Sequence, residues 1–156
     1  MSKIDDIDIK IINLLMEDGR IPCTEIARNI GNITERSVRY RVDRLVKEGI
    51  LQVCGIVNPK AVGFTVTADV WMVVDADSIL EVAKKMTEFE TVSYVACGIG
   101  ETDVSVQVLG RNNEEIYRFI TEVIGKVPGV RKTITSIVPL VLKDVYQWHI
   151  PNVKNT

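Results

Sequence analysis

The chain has 156 residues, of which 46% are hydrophobic and 26% are charged, and its formal net charge is −2. This composition is typical of a soluble globular protein with one ordinary domain or two small ones. No apolar run approaches the ~20 residues that a membrane-spanning helix needs. The first residues also lack the charged-then-apolar order of a secretory signal, so we expect a cytoplasmic protein with no membrane partner.

The cysteine and histidine content argues against catalytic and metal chemistry. Cys23, Cys54 and Cys97 are far apart and form no CxxC pair, and His149 is the single histidine. A catalytic constellation needs a positioned nucleophile, a base and an orienting group, and a zinc site needs clustered ligands. We therefore expect no enzyme activity, no catalytic or metal-binding residues and no cofactor. We interpret the three cysteines as small buried hydrophobic residues.

Residues 1–50 have the pattern of three helices. The first helix carries a buried stripe at helical spacing, formed by Ile7, Ile11, Leu14 and Leu15. The predicted boundaries are caps at Asp5 and Asp6 with a stop at Gly19, a helix over 22–30 before Gly31, and a helix from a Thr34 cap to about Glu48 before Gly49.

The turn between the second and third helices is typical of a helix-turn-helix. Ala27 is small where two helices must approach closely, and Gly31 permits a tight turn. Ile33 is expected to pack inward, and Thr34 begins the next helix. In such a motif the later helix enters the major groove, so the pattern predicts double-stranded DNA as a partner.

The third helix is apolar on one side and basic on the other. At 100° per residue, Val42 and Leu45 lie within about 40° of Val38, so this stripe is expected to face the core. The candidate DNA-binding residues lie on the opposite side and its flanks: Arg36, Ser37, Arg39, Tyr40, Arg44 and Lys47. A solvated basic helix is the alternative, and the preceding helix and turn favour DNA binding.

The position of each residue along this helix suggests its role. The N-terminal part of a recognition helix reads bases, and the corresponding residues are Arg36, Ser37, Arg39 and Tyr40. Arg44 and Lys47 lie further along and are better placed to contact phosphates. Arg41 borders the core stripe, where a structural ion pair and a DNA contact are both open interpretations.

Beyond Leu51 the pattern alternates between strands and helices. We predict a linker strand over 52–57, a turn at Asn58-Pro59 and the end of the linker at Gly63. The further predicted elements are strands at 66–74, 92–99, 103–109 and 130–139 and helices at 78–89 and 113–127. Residues 140–150 alternate again and predict a fifth strand, at an edge or in contact with a partner.

The two successive βαβ units predict a ferredoxin-like βαββαβ sandwich, in which a four-stranded antiparallel sheet carries two helices on one face. The predicted fold class is therefore α+β. The predicted domains are a helix-turn-helix DNA-binding domain at 1–50, a linker strand and turn at 51–63, and a ligand-sensing and oligomerisation domain at 64–156.

Several short motifs, in their order and spacing, resemble one family over essentially the whole chain. The matching stretches are Ile7–Ile12, Asp18–Ile21, Glu25–Ala27, Arg41–Leu45, Glu48–Ile50, Gly100–Asp103, Val127–Val130 and Thr135–Val138. The chain resembles the leucine-responsive regulatory protein family, also called Lrp/AsnC or feast/famine regulators. The resemblance implies a transcriptional regulator that forms dimers through its sheets, often assembles further into octamers, and binds an amino-acid effector between dimers.

The loop between the second and third sheet strands is the candidate effector site. Its glycines would let a ligand approach the backbone, and the carboxylate of Asp103 would accept hydrogen bonds from an α-ammonium group. The candidate effector-binding residues are Gly98, Gly100, Thr102 and Asp103 in the loop and Thr133, Thr135 and Ser136 on the last strand. A plain hairpin turn is the alternative, with Asp103 capping it or pairing with Arg131 or Lys132.

Three other interpretations remain open at this point. The chain could be an amino-acid-sensing regulatory subunit of a metabolic enzyme or an adaptor that binds proteins, or it could bind DNA and assemble without any ligand. Pro22, Asn32 and Tyr40 depart from the usual residues of the family, so the resemblance implies no particular operator sequence.

Overall fold

The computed structural model of the protein describes residues 4–151. The backbone divides into two units, one formed by residues 4–56 together with 142–151 and the other by Val57–Val141. The tail after residue 141 therefore belongs to the N-terminal unit, whereas the sequence pattern placed it with 64–156.

The N-terminal unit contains the three helices that the sequence predicts: α1 (Asp6–Glu17), α2 (Cys23–Ile30) and α3 (Glu35–Lys47). Each helix contributes one fully buried residue to a shared core, namely Ile11, Ile26 and Val38. The predicted stripe of α1 packs against this core, and Leu45 of α3 is also fully buried. The helical periodicity therefore predicted the buried faces correctly.

The helix ends follow the expected local chemistry. Asp5 accepts a hydrogen bond from the backbone N–H of Asp8 at 2.8 Å, and Asp8 accepts one from the N–H of Asp5 at 3.1 Å. Gly31 and Gly49, each with φ of 69°, adopt the left-handed region that their turns require. Gly19 plays no such part, because α1 ends at Glu17 with an extended cap residue before the glycine.

The tail is held against α1 by hydrogen bonds between an amide side chain and the backbone. Asn13 donates from Nδ2 to the carbonyl oxygen of Ile150 at 3.0 Å and accepts from the N–H of Ile150 at 2.9 Å. Nε2 of His149 in the tail also lies 3.2 Å from Oε1 of Glu17, the last residue of α1. These contacts explain why the tail joins the N-terminal unit.

The second unit contains β1 (Val66–Val74), α4 (Ile79–Met86), β2 (Val92–Cys97), β3 (Val104–Gly110), α5 (Asn113–Arg118) and β4 (Val130–Ile137). The strands form one antiparallel sheet in the order β2-β3-β1-β4. Alternate residues of β1 are buried with the helices: Ala68, Val70, Met72 and Val74. The predicted ferredoxin-like βαββαβ sandwich is confirmed.

The second helical segment of this unit is less regular than predicted. After α5 the chain continues as a π-helical turn over Phe119–Val123 and a 3-10 turn over Ile124–Lys126. The hydroxyl of Thr121 donates to the carbonyl of Tyr117 at 2.8 Å, a local bond of the kind that bends helices. The apolar period of 113–127 predicted a continuous helix because the buried residues Ile116, Ile120 and Ile124 keep a spacing of four residues.

Three sequence predictions are wrong. Residues 52–57 and 140–150 form no strand in the described structure. Alternating residues are compatible with a strand, but a strand also needs a neighbouring backbone to pair with, which a pattern cannot supply. The expectation of buried cysteines also fails, because Cys54 and Cys97 are exposed and Cys23 is half-buried.

None of the described helices is long and apolar enough to cross a membrane. Among residues 4–151, no group of three or more His, Cys, Asp and Glu side chains is arranged to hold a metal ion.

Candidate nucleic-acid interface and ligand loop

The outward face of α3 is polar and largely basic. The buried side of the helix, with Val38 and Leu45, fixes its rotation against the core. Arg36, Tyr40 and Lys47 therefore lie on the opposite side, within about 40° of one another at 100° per residue. All three are exposed, and Tyr40 exposes 70% of its surface. This outward face of α3 is therefore accessible to a macromolecular partner.

The remaining base-reading candidates lie in the first turns of α3. Arg39 donates to Glu35 at 2.8 Å, and this hydrogen bond raises the pKa of Arg39. Both side chains are well exposed, so the pair is weak and Arg39 can exchange Glu35 for another acceptor. Ser37 is half-buried, and its N–H donates to the Thr34 hydroxyl at 3.2 Å. Ser37 is thus the least accessible member of the set.

An acidic residue lies on the same face and was missing from the candidate set. Asp43 is exposed and lies about 20° from Arg36 around the helix, on the side away from Tyr40 and Lys47. A carboxylate repels phosphates, but it accepts a hydrogen bond from the amino group of cytosine in the major groove. The same angular count that selected the basic residues also selects Asp43, so the sequence contained the signal.

The structure places Arg44 differently from its predicted outward position. Its guanidinium donates from Nη2 to Oδ2 of Asp8 at 2.5 Å, and only 25% of the side chain is exposed. Asp8 itself has no exposed surface. Arg44 is therefore engaged within the protein, because α3 packs close to a buried carboxylate of α1.

Arg41 forms a structural ion pair, which is one of the two interpretations that the sequence left open for this residue. Its Nη1 donates to Asp8 and to Asp5, each at 2.8 Å. Both carboxylates raise the pKa of Arg41. Partial burial raises the pKa of Asp5, but the N–H of Asp8 and the Arg41 guanidinium outweigh it, so the pKa of Asp5 lies below its ordinary value of 3.8.

The candidate ligand loop connects β2 to β3 and is anchored to β1. The N–H of Gly98 donates to the carbonyl of Asp103, and the N–H of Asp103 donates to the carbonyl of Met72, both at 2.8 Å. Oδ2 of Asp103 accepts from the N–H of Val74 at 2.8 Å. Ile99 at the loop tip is fully exposed. The carboxylate thus binds the end of β1, a partner that differs from the hairpin turn and the two basic residues considered for it.

The remaining observations on this loop concern Arg131, a basic partner considered for Asp103, and the loop residues Gly100 and Thr102. Arg131 lies 3.5 Å from Asp75 rather than from Asp103. Gly100 has φ of 153°, a value that L-residues rarely adopt, and Thr102 is half-buried. The loop therefore keeps its glycine-dependent shape without the basic partner that was considered for Asp103.

The three candidates on β4 do not share one face of the sheet. Thr133 and Thr135 are opposite Met72 and Val70, so they point to the helix-covered side. Ser136 is opposite Asp69 and points to the other side. Thr133 lies beside the same end of β1 as Asp103, about two strand spacings (~10 Å) away. Thr133 is thus the candidate on β4 that is nearest to the loop, although β1 lies between them, and Ser136 faces the other side of the sheet.

The sheet face opposite the helices carries both apolar and polar residues. Trp71 lies on this face of β1, and its β4 neighbour Ile134 is 42% exposed. On the same face, Nε2 of Gln107 on β3 donates to Oδ1 of Asp69 on β1 at 3.1 Å. Neither α4 nor α5 covers this face, because both contribute to the core on the other side.

The geometry of the two units defines a class of protein. A basic, exposed helix held by a preceding short helix and tight turn is a helix-turn-helix DNA-binding unit. Its continuation into a separate ferredoxin-like unit with a glycine-containing loop is the arrangement of a transcriptional regulator with a ligand-binding domain.

The comparisons with known proteins give the family. The AsnC-type helix-turn-helix domain matches residues 4–46, and the Lrp/AsnC ligand binding domain matches residues 67–147. The chain belongs to the Lrp/AsnC family of transcriptional regulators, which are not enzymes.

Individual relatives match over most of their length. An uncharacterised HTH-type transcriptional regulator of Pyrococcus horikoshii is 35% identical over 147 residues, covering 94% of this chain and 90% of the relative. The regulator LrpA of the same organism is 34% identical, covering 86% and 96%. A solved transcriptional regulator of Neisseria meningitidis, in complex with L-Met, has a TM-score of 0.86 at 21% identity, covering 94% and 96%.

Proposed function

We propose that the protein is a homodimeric regulator that recognises a specific duplex DNA sequence through α3 and responds to a small effector, an amino acid. The observation that carries the DNA part is the outward face of α3. Arg36 and Tyr40 are exposed near its start, while the opposite side of the helix is locked into the core. Such a helix enters a major groove with its first turns toward the bases. DNA binding also implies a cytoplasmic location.

Two arguments support a homodimer, one from the DNA contacts and one from the uncovered sheet face. A single recognition helix makes few contacts, whereas two copies related by a two-fold axis read successive major grooves about 34–36 Å apart. The apolar residues Trp71 and Ile134 on the uncovered sheet face also need a cover, since a sheet buries its apolar surface. A second copy of the same face provides it.

The effector is proposed to bind at the loop from Gly98 to Asp103. Asp103 uses Oδ2 for the backbone of Val74, and within the described residues Oδ1 has no hydrogen-bond partner, so it is available to a ligand ammonium group. The solved relative with L-Met supports an amino acid as the class of ligand. A ligand bridging two dimers would favour larger assemblies such as octamers only by its differential affinity for them.

The DNA part is tested by a matched pair of charge-removing variants. Arg36→Ala removes an exposed cation from α3, and Lys126→Ala removes one from the second unit. We expect Arg36→Ala to cost about 1–3 kcal/mol on the specific sequence, selected from genomic fragments, and much less on random DNA. Lys126→Ala should bind like the wild type. Equal losses for both variants would refute recognition by α3.

The effector part is tested by sedimentation of the full chain with and without a panel of amino acids. We expect at least one amino acid to change the sedimentation coefficient and the DNA affinity together. If none does, the protein is a DNA-binding assembly protein without a ligand. If the unliganded protein is a monomer at micromolar concentration, the dimer proposal is wrong.

A further inference from the structure

Two carboxylates of the N-terminal unit face two arginines of the recognition helix. Both oxygens of the fully buried Asp8 are engaged, Oδ1 by Arg41 at 2.8 Å and Oδ2 by Arg44 at 2.5 Å. Asp5 also accepts from Arg41 at 2.8 Å. The two negative and two positive charges cancel within a cluster that we call the acid clamp (Asp5, Asp8, Arg41 and Arg44).

The clamp competes with DNA for its arginines. A guanidinium binds phosphate as readily as carboxylate, often through two parallel hydrogen bonds. The internal arrangement leaves one donor without use, because Nε of Arg44 is buried and has no hydrogen-bond partner among residues 4–151. Arg44 is also one turn from Lys47, which faces outward. Arg44 lies about 80° from Arg36 around the helix and so flanks the outward face, where a guanidinium released from the clamp could bind a DNA phosphate.

We propose that Asp5 and Asp8 limit the sequence-independent DNA affinity of the protein by keeping Arg41 and Arg44 away from DNA phosphates. The inference rests on the proposed DNA binding by α3. Phosphate contacts hold a protein on DNA of any sequence and carry no base information. Withholding two cations therefore lowers the affinity for DNA of any sequence, so that stable binding depends more on the base contacts of Arg36 and Tyr40.

The test uses a variant that removes one of the two carboxylates holding Arg41 and keeps the helix cap, so that Asp8 holds Arg41 alone. Asparagine caps helices as well as aspartate does, so Asp5→Asn keeps the acceptor for the N–H of Asp8 and loses the charge that faces Arg41. Asp6→Asn is the matched control. Asp6 is adjacent and exposed, its substitution changes the net charge equally, and it has no arginine partner in the described structure.

The readout is the salt dependence of binding to a short random-sequence duplex, measured by fluorescence anisotropy with the full chain. One added phosphate contact steepens the slope of log affinity against log salt by about 0.9, so affinity falls about 3.5-fold further between ~50 and ~200 mM salt. We expect this change for Asp5→Asn and for Asp5→Ser, which also keeps a cap. Asp6→Asn should have the wild-type slope.

A third variant attributes the effect to the released arginine. Adding Arg41→Ala to Asp5→Asn should return the slope to the wild-type value. Identical slopes for Asp5→Asn and Asp6→Asn overturn the inference and leave the clamp a purely structural feature. A wild-type chain that binds neither random nor genomic DNA instead refutes the proposed function itself.

Discussion

Replacing Asp103 with Asn separates two roles that one carboxylate can have. The side chain is isosteric, so its oxygen can still accept the hydrogen bond from Val74 that anchors the loop at 2.8 Å. What is lost is the negative charge. Asp103→Ala removes the acceptor as well and so serves as the contrasting variant.

The expected magnitudes differ for stability and for binding. A hydrogen bond to a charged group contributes about 1.5–3 kcal/mol, against about 0.5–1.5 kcal/mol for a neutral one. We expect Asp103→Asn to lower the free energy of unfolding by roughly 1 kcal/mol or less, because the neutral bond to Val74 remains. A ligand ammonium group that loses its charged acceptor should bind about 10-fold or more weakly, since 1.4 kcal/mol is a factor of ten.

The assay is calorimetric titration with the amino acids that change sedimentation, alongside urea unfolding of each variant. A loss of ligand affinity in Asp103→Asn without a comparable loss of stability supports an ammonium contact. The reasoning is refuted if wild type and Asp103→Asn bind the ligand equally well while only Asp103→Ala is destabilised. In that case the carboxylate caps β1 and does nothing more.

Three further predictions concern DNA contact, acid stability and assembly. Lys47→Ala should weaken binding to all sequences and make the salt slope shallower by about 0.9, and a loss confined to one sequence would exclude a phosphate contact. The depressed pKa of Asp5 contributes stability above pH 3.8 that is lost as the pH falls through the lower folded pKa, so acid unfolding curves should show a smaller loss for Asp5→Asn than for wild type. Trp71→Asp should yield a monomer by sedimentation, whereas Leu80→Asp should not, because Leu80 lies on α4 and is 68% exposed. Equal sedimentation of the two variants would exclude the sheet face as the dimer interface.

Local chemistry made much of the fold predictable. The three N-terminal helices and the four strands were found within a few residues, because their buried faces follow periods of 3.6 and 2. The Thr34 cap and the left-handed Gly49 were recognised because each satisfies backbone groups that a helix end leaves unpaired.

The errors arise where structure depends on distant groups. Residues 52–57 and 140–150 alternate like strands, but pairing depends on a neighbour that lies elsewhere in the chain or in another copy. Arg44 was assigned to phosphate because its angle on α3 leaves it beside the exposed face. Its partner Asp8 is 36 residues away, and no local pattern shows that a carboxylate of α1 reaches it.

The charges around α3 explain why assembly would matter for DNA binding by a protein with a net charge of −2. Two of the five basic residues on α3, Arg41 and Arg44, are held by the buried Asp8, and Arg39 is paired weakly with the exposed Glu35. Few cations are then left for non-specific attraction, and one copy alone would bind weakly. Affinity must come from base contacts made twice, once by each subunit of a dimer. An effector that shifts the assembly equilibrium would therefore change DNA occupancy without touching α3.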